Sequence, residues 1–177
     1  AISACAKVAR WSIALQLANE IPRSTGDEFT LGSLVSACYR GHWSLALQLL
    51  HQGRMQHIQP NRIMFHSAIV ACEGQQWRWS IYLLEEALSW RVIPDAPLLS
   101  AVMNSCEKGH QWTVCLQLLS TSFRSQCTPD LPMLTTSISA CANSHRWEAT
   151  LQLVREAMAF SGNPDPVMTH AALTAFS

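Results

Sequence analysis

The sequence predicts an all-α fold, an α-solenoid (superhelix) of stacked helical hairpins, and three periodic marks predict it. Cys5, Cys38, Cys72, Cys106 and Cys141 follow one another at 33, 34, 34 and 35 residues. A tryptophan stands five or six residues after each, at Trp11, Trp43, Trp77, Trp112 and Trp147. Pro60, Pro94 and Pro129 stand twelve residues before the later cysteines, Pro164 continues the series, and each is followed by an amide or acid: Asn61, Asp95, Asp130 and Asp165. A period of this size marks an array in which a pair of helices cannot bury its apolar face alone and must stack on the next pair.

Closing each unit on the residue after the proline gives a single array over residues 1–177. It comprises a partial repeat 1–27, full repeats 28–61, 62–95, 96–130 and 131–165, and a partial repeat 166–177. Solenoids need polar capping repeats for solubility. Neither end supplies one, so the expectation is a fragment of a longer array.

Each full repeat reads as two helices. In repeat 28–61 the stretch Phe29-Thr-Leu-Gly-Ser-Leu-Val-Ser-Ala-Cys38 is apolar at helical spacing with small residues interleaved, which suits close helix packing. Arg40-Gly-His42 is the link, with the glycine placed to supply a left-handed cap. The second helix follows as Trp43-Ser-Leu-Ala-Leu-Gln-Leu-Leu50, with a small residue at +3, Leu at +4 and an apolar residue at +7 from the tryptophan, read as one buried face. Repeat 62–95 turns through Glu73-Gly-Gln-Gln76. Repeat 96–130 turns through Lys108-Gly-His-Gln111 into Trp112-Thr-Val-Cys-Leu-Gln-Leu-Leu119, and repeat 131–165 ends on Trp147-Glu-Ala-Thr-Leu-Gln-Leu-Val154.

Composition narrows the function classes. At 49% hydrophobic and 14% charged residues, the chain has enough apolar surface to fold and is not a disordered segment. No run of about 18 apolar residues is free of charges and turn signals, so none is read as a membrane span. No targeting signal is visible. A net charge of +0 argues against a uniformly basic surface, so any nucleic-acid contact must rest on local groups.

The residue types that most often carry chemistry have structural readings here. Equivalent cysteines in stacked helices stand about 8–10 Å apart, beyond disulfide reach, and are read as core. Cys115 takes the place held by Ala14, Ala46, Ser80 and Thr150 and is read as a small packing residue, whereas Cys127 is read as exposed. His42, His110 and His145 share one turn position without carboxylates or thiols around them, so they are read as surface turn residues rather than metal ligands or bases. The tryptophans open the apolar face and are read as core rather than as a stacking platform for bases. The aspartates leave two readings open, since Pro-Asp before a helix is also a helix cap. No phosphate loop, nucleophile elbow or carboxylate cluster is present, so no enzyme activity, cofactor or metal is expected of these residues.

The pattern that closes on Pro-Asp or Pro-Asn, then runs through Ile-Ser-Ala-Cys and a Lys-Gly or Arg-Gly turn to Ala-Leu-x-Leu-Leu, resembles the pentatricopeptide repeat. Val102-Met-Asn-Ser-Cys-Glu-Lys-Gly-His-Gln-Trp112 and Thr136-Ser-Ile-Ser-Ala-Cys-Ala142 carry that likeness. A tetratricopeptide repeat would place its Trp early in the first helix, whereas here Trp opens the second.

The resemblance implies sequence-dependent binding of single-stranded organellar RNA, in a chloroplast or alternatively a mitochondrion, at one base per repeat. The base-reading pairs it implies are Gly32 with Asn61, His66 with Asp95, Ser100 with Asp130, and Thr135 with Asp165, while His170 begins a further pair. Ser or Thr with Asp implies guanine, so repeats 96–130 and 131–165 would read two successive guanines. Phe29, Ile63, Pro97, Pro132 and Val167 would wedge between bases, and Lys7, Arg40 and Lys108 would contact phosphates. The alternative is a protein-interaction scaffold of the same fold, favoured by Gly32, His66 and the missing cations at Gly74 and Asn143. A third reading, an RNA-processing enzyme, needs a catalytic domain outside these residues.

Overall fold

A computed structural model describes residues 28–38, 42–55, 58–72, 76–124 and 129–161. They form eight helices: α1 (Glu28–Ala37), α2 (Trp43–Met55), α3 (Arg62–Ala71), α4 (Trp77–Ser89), α5 (Ala96–Lys108), α6 (Trp112–Arg124), α7 (Leu131–Asn143) and α8 (Trp147–Ser161). The helices pair into four hairpins, one for each full repeat. The chain divides into two compact units, Ala1–Pro94 and Asp95–Ser177.

In the first unit α1 packs on α2 and α3, α2 on α3, and α3 on α4. The second unit repeats the scheme, with α5 on α6 and α7, α6 on α7, and α7 on α8. A first helix therefore has its own partner on one side and the neighbouring hairpin on the other. Its sequence answers with two apolar seams: Met64, Phe65, Ala68, Ile69 and Ala71 are buried in α3, and Met133, Leu134, Ile138, Ala140 and Cys141 are buried in α7. Small polar side chains tie adjacent first helices together, with Ser36 Oγ 3.2 Å from Ser67 Oγ and Thr136 Oγ1 donating to Asn104 Oδ1 at 3.0 Å.

Second helices bury a single stripe, Ala46, Leu49, Leu50 and Gly53 in α2, and Ser80, Leu83, Leu84 and Ala87 in α4. The stripe runs at +3, +6, +7 and +10 from the tryptophan, so the expected positions +3 and +7 are buried while the tryptophan itself and +4 are not part of it. At about 100° per residue its centre lies roughly 70° from the tryptophan, which puts that side chain on the edge of the buried arc and +4 outside it. The tryptophans are accordingly not core. Trp43, Trp77 and Trp112 are half-buried, Trp147 is 50% exposed, and Leu151 at +4 in α8 is 38% exposed.

In the α5–α6 turn the left-handed residue is not the glycine that the sequence suggested; the glycine of Arg40-Gly-His42 lies outside the described residues. Gly109 caps α5 at φ −85°, whereas His110 after it has φ 55°. His110 N–H donates to Glu107 C=O and Gln111 N–H to Cys106 C=O, both at 2.9 Å, the paired bonds of a Schellman motif. Ser144 and His145, with φ 53° at the histidine, repeat the turn, and Arg146 N–H donates to the Cys141 carbonyl at 3.0 Å. The left-handed cap falls to histidine in both turns because the position is fixed by the two hydrogen bonds, not by the glycine.

Cys38, Cys72, Cys106, Cys115 and Cys141 are buried free thiols, as the packing argument required. Burial pushes Cys38, Cys72 and Cys141 up to about 11. Cys115 was read only as a small packing residue; its thiol donates to the Met103 carbonyl at 3.6 Å, and the neighbouring Cys106 thiol together with burial drives its pKa up.

Candidate nucleic-acid interface

The junction residues are helix caps. Asn61, Asp95 and Asp130 are extended at their backbones, and each Oδ1 accepts from the amide three residues on, Met64, Leu98 and Met133, at 3.0, 3.1 and 3.0 Å. A helix start leaves four amides without partners, and this bond satisfies one of them. Pro97 and Pro132 sit in the first turn, where their missing N–H is no loss. Capping uses one oxygen of each aspartate and holds its side chain in one orientation, so the two readings of these residues are compatible.

The fifth residues after the junctions differ in what they offer. Gly32 has no side chain; a Cβ there would sit 3.5 Å from Met64 Cγ, ordinary contact distance. His66 is half-buried. Ser100 Oγ is buried without a hydrogen-bond partner, so a χ1 rotation is required before it can meet a base. Thr135 Oγ1 donates to Pro132 C=O at 2.9 Å and keeps its lone pairs for accepting.

Of the proposed wedges, Ile63 is 69% exposed, Pro97 and Pro132 are exposed, and Phe29 lies in α1. Lys108 is exposed in the last turn of α5. Lys7, Arg40, Asp165, Val167 and His170 lie outside the described residues, as do Gly74 and Cys127. Among the described residues no three His, Cys, Asp or Glu side chains gather as a metal site.

Sequence reasoning missed the aromatic and cationic groups at the starts of the second helices. Trp43 and Trp79 stack with centroids 5.7 Å apart at 26°, and Tyr82 meets Trp79 edge-on, also at 5.7 Å. Arg78 lies 5.2 Å from the Trp77 ring centroid, and Arg146 lies 4.9 Å from that of Trp112. The adjacency of Arg78 to Trp77 and Trp79 was the available signal, and assigning the tryptophans to the core concealed it.

An all-α array of hairpins with capped first helices and a single buried stripe on each second helix is the pentatricopeptide-repeat fold. Solved structures of that fold superpose on this chain. The pentatricopeptide domain of Arabidopsis thaliana protein-only RNase P 1, in complex with tRNA, matches at TM-score 0.82 and 10% identity over 99% of this chain and 94% of that one. The pentatricopeptide repeat protein PPR10 in complex with an 18-nt psaJ RNA element matches at TM-score 0.81 and 13% identity, and PPR10 from maize at 0.75 and 20%. Both cover 99% of this chain, which spans 26% of the PPR10 chain. No protein-family model matches the sequence, and no curated protein does.

Proposed function

We propose that this chain binds single-stranded RNA in a sequence-dependent way, with repeats 96–130 and 131–165 reading two successive guanines, and does no chemistry itself. One observation carries the reading: Asp130 is held by its cap bond in a fixed orientation, on a repeat whose fifth residue, Ser100, has a hydroxyl without a protein partner. A carboxylate held by one oxygen has a second with which to accept from the N–H edge of guanine, and a hydroxyl can both donate and accept. Thr135 and Asp165 repeat the chemistry in the next unit. The RNA-bound neighbours of the same fold support it. We place the RNA among organellar transcripts, in chloroplast or mitochondrion, where binding serves processing or stabilisation; this part rests on the family resemblance.

The test is binding of the array, capped at both ends, to short RNAs carrying Gua-Gua or Ade-Ade opposite these repeats, repeated with Asp130→Asn and Asp165→Asn. A shift of preference from guanine toward adenine is the expected result. Absence of RNA binding above a salt-sensitive background, or an unchanged preference, favours the protein-interaction scaffold, to which Gly32 and His66 already point.

A further inference from the structure

The exposed aromatic surface of the first unit has no part in base reading as described above. Trp77, Arg78, Trp79 and Tyr82, at the start of α4, line an open groove of about 640 Å³ together with Gln76. Trp79 is 39% and Tyr82 48% exposed, large values for side chains whose apolar surface favours burial. The stack of Trp43 on Trp79, with Tyr82 closing one edge, presents π-faces, and Arg78 adds a guanidinium. Among the described residues the lining carries no carboxylate; Glu85 stands a turn beyond Tyr82, and Glu86 is 3.9 Å from Arg54 farther along the hairpin.

We propose that this groove is a second contact for single-stranded RNA, in which one or two bases stack on the Trp79 and Tyr82 rings while Arg78 meets the adjoining phosphate. The inference rests on the RNA-binding reading and adds to it a site that holds RNA without regard to sequence. An anionic polymer with an aromatic ring in every unit complements a cationic groove walled by indoles, and base–aromatic stacking tolerates any base because each has a π-face. A proline-rich peptide would use the rings but leave the guanidinium without an anion. A smaller groove of the second unit, about 350 Å³, has Trp112, Arg146 and Trp147 in its lining but also Glu148, whose carboxylate offsets the arginine. The first unit is therefore the one assigned.

The experiment uses the full chain and a 12-nucleotide single-stranded RNA that contains Gua-Gua and is substituted with 4-thiouridine. After irradiation and trypsin digestion, the expected cross-link lies in the peptide Trp79–Arg91, released by cleavage after Arg78 and Arg91. Trp79→Ala is expected to weaken RNA binding about tenfold while leaving the preference for guanine intact. Because Trp79 also stacks on Trp43, the double variant Arg78→Gln/Tyr82→Ser, confined to the groove surface, serves as the folded counterpart and should show the same loss. Wild-type affinity in both variants, with cross-links only elsewhere, overturns this site and leaves base reading standing. Absence of RNA binding altogether overturns both. Indole emission that responds through Trp79 to a proline-rich peptide but not to RNA overturns it in favour of a peptide groove.

Discussion

Exchanging the residues of the α5–α6 turn separates two accounts of that turn by sign. The sequence places Gly109 where a left-handed cap is wanted, and the structure places His110 there at φ 55° with Gly109 at φ −85°. A left-handed L-residue costs about 1–2 kcal/mol relative to its right-handed conformation. Glycine escapes that cost but loses roughly 0.5–1 kcal/mol more chain entropy on folding. His110→Gly should therefore stabilise by about 0.5–1 kcal/mol. His145→Gly, at φ 53° in the equivalent turn, should show the same gain. The two turns touch, with Asn143 donating to Glu107 at 3.4 Å and Arg146 4.9 Å from the Trp112 ring, so the departure of the double variant from the sum measures their coupling. Gly109→Ala is the discriminating control: at φ −85° alanine is unstrained and should be neutral or stabilising by up to about 1 kcal/mol. Urea titration at constant m reads these values. A Gly109→Ala variant destabilised by 1 kcal/mol or more, beside a His110→Gly variant no better than wild type, refutes the assignment.

Gly32→Ala should stabilise α1 by up to about 1 kcal/mol, since Met64 leaves room for a Cβ; Gly53→Ala, whose Cβ would run into Leu31 Cδ2, should destabilise, and paired thermal melts compare them. Asp130→Ala should cost about 1 kcal/mol through loss of the Met133 cap bond and Asp130→Asn almost nothing, as read by denaturant midpoints. Cys38, Cys72 and Cys141 keep their protons to about pH 11 when folded, against an ordinary value of 9.0, so between those limits the folded state binds more protons than the unfolded one. Stability should hold to about pH 8 and fall from pH 9 to 11, which urea midpoints across that range will show. The same thiols should resist alkylation at pH 8 until the chain unfolds.

The hairpins and their junctions were legible because the marks that set them are local: Pro-Asx starts a first helix, and a small-residue run with Cys in or just after its last turn leads into the link. What the cysteine does was legible in part. Its burial followed from the repeat, but the Cys106 and Cys141 carbonyls also accept the longer hydrogen bond of the turn, which depends on backbone geometry and not on side-chain type. The tryptophans misled because an apolar residue at the rim of a buried arc has the same periodicity as one at its centre; only the neighbouring hairpin decides where the arc is centred. The thiol contact between Cys106 and Cys115 requires knowing which faces of α5 and α6 meet. For the candidate interface, residue positions followed from the resemblance, while the rotamers of Ser100 and Thr135 come from packing.

The junction cap has a consequence for how such an array can change over generations. Asparagine and aspartate are nearly equal as N-caps, and both occur at this place, Asn61 beside Asp95 and Asp130. Exchange between them turns an acceptor-only side chain into one that also donates, at almost no cost to folding. The column of junction residues is thus a neutral path in sequence space: its hydrogen-bonding character can be rewritten one unit at a time, while the scaffold beneath it is under no pressure to compensate.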